Sequence, residues 1–102
     1  MIVHMVLFKV KRGVSKARIA SVMAAIGALR RRIPGITGFR WGPYSSPEGL
    51  HRGYTHGFCM TFKDRKARDA YLPHPEHEKV KAKGLAILRG GVGGVLAFDF
   101  EA

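Results

Sequence analysis

The chain lacks most of the features that would place it outside the cell or in a membrane. It has a single cysteine, Cys59, among 102 residues, so neither an internal disulfide nor a zinc site of several thiolates can form. No apolar run approaches the ~18 residues of a membrane-spanning helix, and the apolar start has no charged leader or small-residue cleavage site. These absences predict a reducing, cytoplasmic location and no membrane association.

Acidic residues are also scarce. Seven aspartates and glutamates stand against 18 lysines and arginines, which gives a formal charge of +11. Such a charge attracts polyanions in general. The basic residues are spread along the chain, however, and zinc-finger spacing, an aromatic RNP strand and a GXXG loop are all missing. We therefore expect a basic surface without sequence-specific nucleic-acid binding.

The length and the pattern of apolar residues favour one domain over residues 1–102. Apolar residues make up 46% of the chain, which is typical of a globular domain with one core. Period-two and helical spacings predict, in order, a strand, a helix, two strands, a broken helical region and a last strand: Ile2–Val10, Ser15–Ile33, Thr37–Tyr44, Tyr54–Phe62, Asp64–Leu88 and Val95–Phe100. A flexible glycine joint is expected over Gly90–Gly94. The order βαββαβ predicts the ferredoxin-like α+β fold, an antiparallel four-stranded sheet with the helices on one face.

The first and last strands are apolar on both faces, which predicts a homodimer. In Ile2–Phe8 the odd positions Val3, Met5 and Leu7 are as apolar as most even positions. Helices on one side of the sheet leave the other side open, and a second copy packed through the sheet would cover it. We expect the odd positions to face that partner and the even positions to face the helices.

Histidines and a tyrosine are the side chains that suggest chemistry. Strand parity places His4 and His56 on the helix-facing side, and the broken helical region carries Tyr71, His74 and His77. Histidine exchanges protons near neutral pH, and a tyrosine hydroxyl can stabilise an oxyanion. The spacing does not supply the convergent ligands of a metal site, so we expect no metal and no cofactor.

Structural roles compete with chemistry at each of these positions. His77 can cap a helix or bond a carbonyl group, and His74 between two prolines suits a turn. His4 and His56 can be core histidines paired with Asp99 or with each other. Tyr71 on an apolar helix face can simply pack.

Four segments together resemble one known family. They are Ile2–Phe8, Pro47–His56, the stretch Tyr71-Leu72-Pro73-His74-Pro75-Glu76-His77, and Phe98-Asp99-Phe100. In this order they resemble the stress-responsive A/B barrel (Dabb) family, whose members are dimeric α+β barrels. The resemblance implies a pocket between helices and sheet. Tyr71 and His77 match the catalytic pair of polyketide cyclases in that family, and the substrate site would include His4, His56, Val6, Phe8, Met23 and His74.

Three functions are compatible with these features. The first is a cofactor-independent enzyme that uses general acid–base chemistry on a small apolar or carbonyl-containing ligand, as a polyketide cyclase, an isomerase or a lyase would. The alternative is a noncatalytic stress-response or apolar-ligand-binding dimer, and the third is a barrel that binds haem or oxygenates its substrate. A pocket lined by His4, Tyr71 and His77 favours the first, whereas a pocket filled by Phe8 and Met23 favours the second.

Overall fold

The computed structural model describes all 102 residues, which form one sheet with a layer of helices packed against it. Its strands are β1 (Ile2–Phe8), β2 (Ile36–Pro43), β3 (His56–Phe62) and β4 (Val95–Glu101), and its helices are α1 (Lys16–Gly27), α2 (Arg65–Tyr71) and α3 (Pro75–Ala86). The strands pair antiparallel in the order β2-β3-β1-β4. The predicted ferredoxin-like α+β fold is therefore confirmed.

Side-chain caps fix where the helices begin. The Ser15 hydroxyl accepts a hydrogen bond from the Arg18 amide at the start of α1, and the Asp64 carboxylate accepts one from the Ala67 amide at the start of α2. At the start of α3, Nδ1 of His74 accepts from the Glu76 amide. Each cap satisfies an amide that the first helical turn leaves without a partner. Of the two roles expected for His74, at a turn or in the pocket, the structure shows the one at the turn.

Several boundaries differ from the predicted ones, and the glycine joint has a regular structure. β1 ends at Phe8 because the Val10 amide leaves the sheet and donates to the Thr55 hydroxyl. The first helix ends at Gly27 and continues only as a 3₁₀ turn over Ala28–Arg31. The expected flexible joint is an ordered 3₁₀ turn, Gly91–Gly94. Gly94 is required there, since a Cβ atom on it would lie 2.6 Å from the Arg89 carbonyl oxygen.

The two faces of the sheet differ in burial. On β1 the even positions are buried against the helices, as predicted, and α1 packs its apolar side on them. The opposite face carries large apolar side chains that remain exposed: Met5, Leu96, Phe98 and Phe100. We call these four residues, with Val3 and Leu7, the outer sheet face. None of the helices combines the length and the hydrophobicity needed to cross a bilayer.

Candidate functional site

A cavity of about 230 Å³ lies between the sheet and α3. Its polar lining comes from three predicted residues, His4, Tyr71 and His77, together with Lys81. Apart from Tyr71, eight of its thirteen lining residues are hydrophobic, and these include the predicted Val6 and Phe8. The cavity is thus an apolar chamber with titratable groups in its wall.

The break between α2 and α3 brings Tyr71 and His77 together. The chain reverses over Leu72–His74, so two residues six positions apart stack with their ring centroids 4.2 Å apart. Nδ1 of His77 lies 2.8 Å from the Leu72 carbonyl oxygen. A carbonyl oxygen can only accept, so Nδ1 carries the hydrogen and Nε2 keeps a free lone pair. Burial lowers the pKa of His77, and the ring is therefore a neutral base at pH 7.

Tyr71 is the matching hydrogen-bond donor. Only 1% of its surface is exposed, and burial raises the pKa of Tyr71 well above its ordinary value. The phenol consequently stays protonated at any physiological pH. A protonated hydroxyl at the wall of an apolar cavity can donate to a carbonyl oxygen and stabilise negative charge that develops on it.

The imidazole ring of His4 is hydrogen-bonded to an acidic residue of the neighbouring strand. The β1–β4 register pairs His4 with Asp99, and His4 Nδ1 lies 2.6 Å from Asp99 Oδ1. Arg68 of α2 donates to the other carboxylate oxygen at 2.8 Å. Burial would raise the pKa of Asp99, but the hydrogen bonds from His4 and Arg68 lower it overall. An ionised Asp99 accepts a hydrogen bond from Nδ1 of His4 and fixes the orientation of the ring.

The arrangement can move a proton within a largely apolar space. The Tyr71 ring lies between the two histidines, with centroid distances of 6.0 Å to His4 and 4.2 Å to His77. One neutral imidazole can remove a proton from a bound carbonyl compound while the phenol holds the oxygen. Nowhere do three or more histidine, cysteine, aspartate or glutamate side chains converge to hold a metal ion.

The structure places three expected site residues outside this cavity. His56 pairs with Phe8, four residues along β1 from His4, which corresponds to about 13 Å. It bonds the Thr55 hydroxyl at 2.8 Å, and burial lowers the pKa of His56. Met23 is completely buried in the core beneath the cavity, and His74 is occupied as the cap of α3. The expectation that they line the same chamber as His4 does not match this geometry.

A larger concavity of about 350 Å³ lies under the β2–β3 loop. His51 and His56 both line it, but His51 stacks on Tyr44 and bonds the Tyr54 carbonyl oxygen. Leu7, which is part of the outer sheet face, forms one wall. The smaller cavity is the better candidate for acid–base chemistry, because it brings together His4, Tyr71 and His77, whereas His56 is the only predicted site residue in this space.

Sequence reasoning missed Lys81 as a cavity residue. Lys81 follows His77 by four positions on α3, and this spacing places two side chains on one helix face. The four-residue spacing could have indicated a shared helix face, but a lysine in a basic helix is ordinarily a solvent-exposed charged residue. Arg68 was missed for the same reason, although it contacts the predicted Asp99.

The comparisons with known proteins agree with this architecture. The family model described as Stress responsive A/B Barrel Domain matches residues 2–102. The chain belongs to this family. A curated relative, the stress-response A/B barrel domain-containing protein HS1 of Arabidopsis thaliana, is 34% identical over 98 residues, which are 96% of this chain and 86% of the relative.

Several solved structures match nearly the whole chain. A dimeric ferredoxin-like protein of unknown function from Jannaschia sp. CCS1 is 35% identical with a TM-score of 0.88, and the match covers 99% of this chain and 98% of that one. The hydroxynitrile lyase of Passiflora edulis has 19% identity and a TM-score of 0.84, covering 97% and 90% of the two chains. The cofactor-independent oxygenase SnoaB of Streptomyces nogalater has 17% identity and a TM-score of 0.76, covering 99% and 91%. At these low identities the last two show a shared fold alone.

Proposed function

We propose that this A/B barrel protein is a homodimeric, cofactor-independent enzyme that performs general acid–base chemistry on a small carbonyl compound. The reaction class is that of a cyclase, isomerase or lyase, and His77 is the base that moves the proton. Tyr71 donates to the carbonyl oxygen, and His4, backed by Asp99, is the second proton carrier. Val6 and Phe8 contact the apolar part of the substrate.

One observation carries this proposal: His4, Tyr71 and His77 line one largely apolar cavity. The Leu72 carbonyl oxygen occupies Nδ1 of His77, so the neutral ring keeps an unprotonated Nε2, and Asp99 holds His4 through its Nδ1. These bonds also suit structural histidines, but a base and an oxyanion donor must reach the same substrate, and the cavity that both histidines share with Tyr71 meets that requirement. Related folds also carry proteins named as a hydroxynitrile lyase and as a cofactor-independent oxygenase, which is compatible with chemistry that needs no cofactor.

The homodimer is part of the same proposal. The outer sheet face is apolar and uncovered in the single chain, and several solved relatives are described as dimeric. A partner packed sheet to sheet would bury this face and would brace β1 and β4, which carry His4 and Asp99.

Exchange of α-protons tests the chemistry without a known substrate. 4-Phenyl-2-butanone in D₂O provides an apolar ring and a ketone, and ¹H NMR follows the loss of its α-protons. We expect the wild-type protein to accelerate exchange over buffer. Removal of one well-placed acid or base typically costs about 10²-fold or more, so His77→Ala and Tyr71→Phe should each lose most of this acceleration. His51→Ala removes a histidine outside the cavity and should change nothing.

A second function is favoured by the apolar lining. Eight hydrophobic lining residues besides Tyr71 suit an apolar ligand that is bound and not transformed, and the relative HS1 is named as a stress-response protein. If the ketone shifts the cavity resonances but its α-protons exchange no faster than in buffer, the noncatalytic binding dimer is the correct function.

A further inference from the structure

Lys81 is the only charged residue among those that line the cavity. It lies on α3 one turn beyond His77, with about half of its side chain exposed. A lysine in this position lays its apolar stem along the wall and keeps its ammonium group at the mouth. The cavity therefore has an apolar interior and a single positive charge at its entrance.

The ammonium group of Lys81 has no strong partner within the protein. Glu78 is the nearest carboxylate in an ion pair with it, at 4.0 Å, and Glu78 is itself half exposed. Such loose, hydrated pairs contribute little. Asp99, which holds His4, does not line the cavity and is already bonded to His4 and Arg68. Lys81 is thus available to an anion that enters the cavity.

We propose that Lys81 anchors a carboxylate and that the cavity selects small carbonyl compounds bearing one carboxylate group. This inference rests on the proposed function of the cavity and names its substrate class. With the carboxylate on Lys81, the rest of the molecule lies along Val6 and Phe8 towards Tyr71 and His77.

The size and the charge of the cavity both support a small monoanion. An apolar cavity of roughly 150 Å³ accommodates benzene, so about 230 Å³ accommodates one ring with a short chain. A single ammonium group compensates one negative charge. A more highly charged group such as a phosphate dianion would leave charge uncompensated against apolar walls, which is unfavourable.

Two ligands of nearly identical shape test the anchor. 3-Phenylpropanoate and 3-phenylpropanamide differ only in charge, and their dissociation constants follow from NMR titration of the histidine ring protons at pH 8. We expect the wild-type protein to bind the carboxylate about fivefold more tightly than the amide, as a partly exposed ion pair allows. Lys81→Met should abolish this preference. Glu78→Gln, which removes the competing carboxylate, should increase it.

Lys79→Met is the matched control. It makes the same change two positions away on α3, but Lys79 pairs with Glu76 and lines a separate groove. The preference for the carboxylate should persist in this variant. Increasing the salt concentration to 0.5 M should weaken the carboxylate complex and leave the amide complex unchanged, because screening acts on the ion pair alone.

The outcomes separate the anchor from the site itself. If both ligands shift the His4 and His77 resonances but bind wild-type protein equally, the anchor is refuted while the proposed site stands. A preference that survives Lys81→Met also refutes it. If neither ligand shifts these resonances, the cavity does not bind such ligands, and both the Lys81 anchor and the proposed function are refuted.

Discussion

Replacing Phe98 by glutamate should dissociate the proposed homodimer. Phe98 is the most exposed residue of the outer sheet face, with 61% of its surface uncovered. An aromatic side chain buries roughly 200 Å², so about 120 Å² remains for a partner to cover. At about 25 cal/mol per Å² this corresponds to roughly 3 kcal/mol per protomer. Both protomers carry the change, so Phe98→Glu should weaken the dimer by about 6 kcal/mol, or roughly four orders of magnitude in Kd.

Sedimentation equilibrium over a wide concentration range measures this change directly. The wild-type protein should sediment as a dimer at micromolar concentration and Phe98→Glu as a monomer. Val92→Glu is the matched control, because Val92 is even more exposed, at 74%, but lies in the 3₁₀ turn outside the sheet. Circular dichroism of each variant at the same concentrations reports whether the fold persists.

Two results would refute the reasoning. A wild-type protein that is monomeric at micromolar concentration would leave the outer sheet face without the proposed partner. A Phe98→Glu variant that remains dimeric would place the interface elsewhere. A folded monomer would also permit a separate measurement of whether the cavity binds 4-phenyl-2-butanone without a partner.

Three further predictions concern pH, backbone geometry and charge. Burial lowers the pKa of His77 and of His56. Just below pH 6.5 the unfolded chain therefore binds more protons than the folded chain. The free energy of unfolding should rise with pH up to about 6.5 and then level off. His77→Gln should remove part of that slope in urea titrations from pH 5 to pH 8. Gly35→Ala should lower the free energy of unfolding by about 2 kcal/mol or more, because Gly35 has φ +93° and a Cβ there would lie 2.5 Å from the Ala67 Cβ. Urea unfolding at pH 7.5 measures this loss, and an unchanged free energy of unfolding would contradict the prediction. With +11 per chain, duplex DNA of any sequence should bind at low salt and release by about 0.15 M; sequence-selective retention in a gel-shift assay at that salt would contradict this.

The sequence predicted the elements of the fold better than their ends. Alternation and helical spacing report which face of an element is buried, and that information is local. The ends depend on contacts from distant parts of the chain. Val10 leaves β1 because Thr55 offers its hydroxyl, and the glycine turn is ordered because Gly94 packs on the Arg89 backbone. Neither contact leaves a pattern in the nearby sequence.

The same distinction explains which parts of the candidate site were predictable. Parity places His4 and His56 on one side of the sheet, but it does not report the strand register. Pairing of His56 with Phe8 and of His4 with Met60 sets the two histidines apart along β1. The relative orientation of Tyr71 and His77 could not be predicted either, because the backbone between the two prolines determines it. The stacking of the two rings is visible only in the folded chain. The tautomers of His4 and His77 depend in turn on a neighbouring strand and on a carbonyl of the break itself. Residue type, face and the possible bonds of His4 to Asp99 and of His77 to a carbonyl group could therefore be predicted from the sequence, whereas the strand register and the backbone of the break, which set the distances, required the tertiary structure.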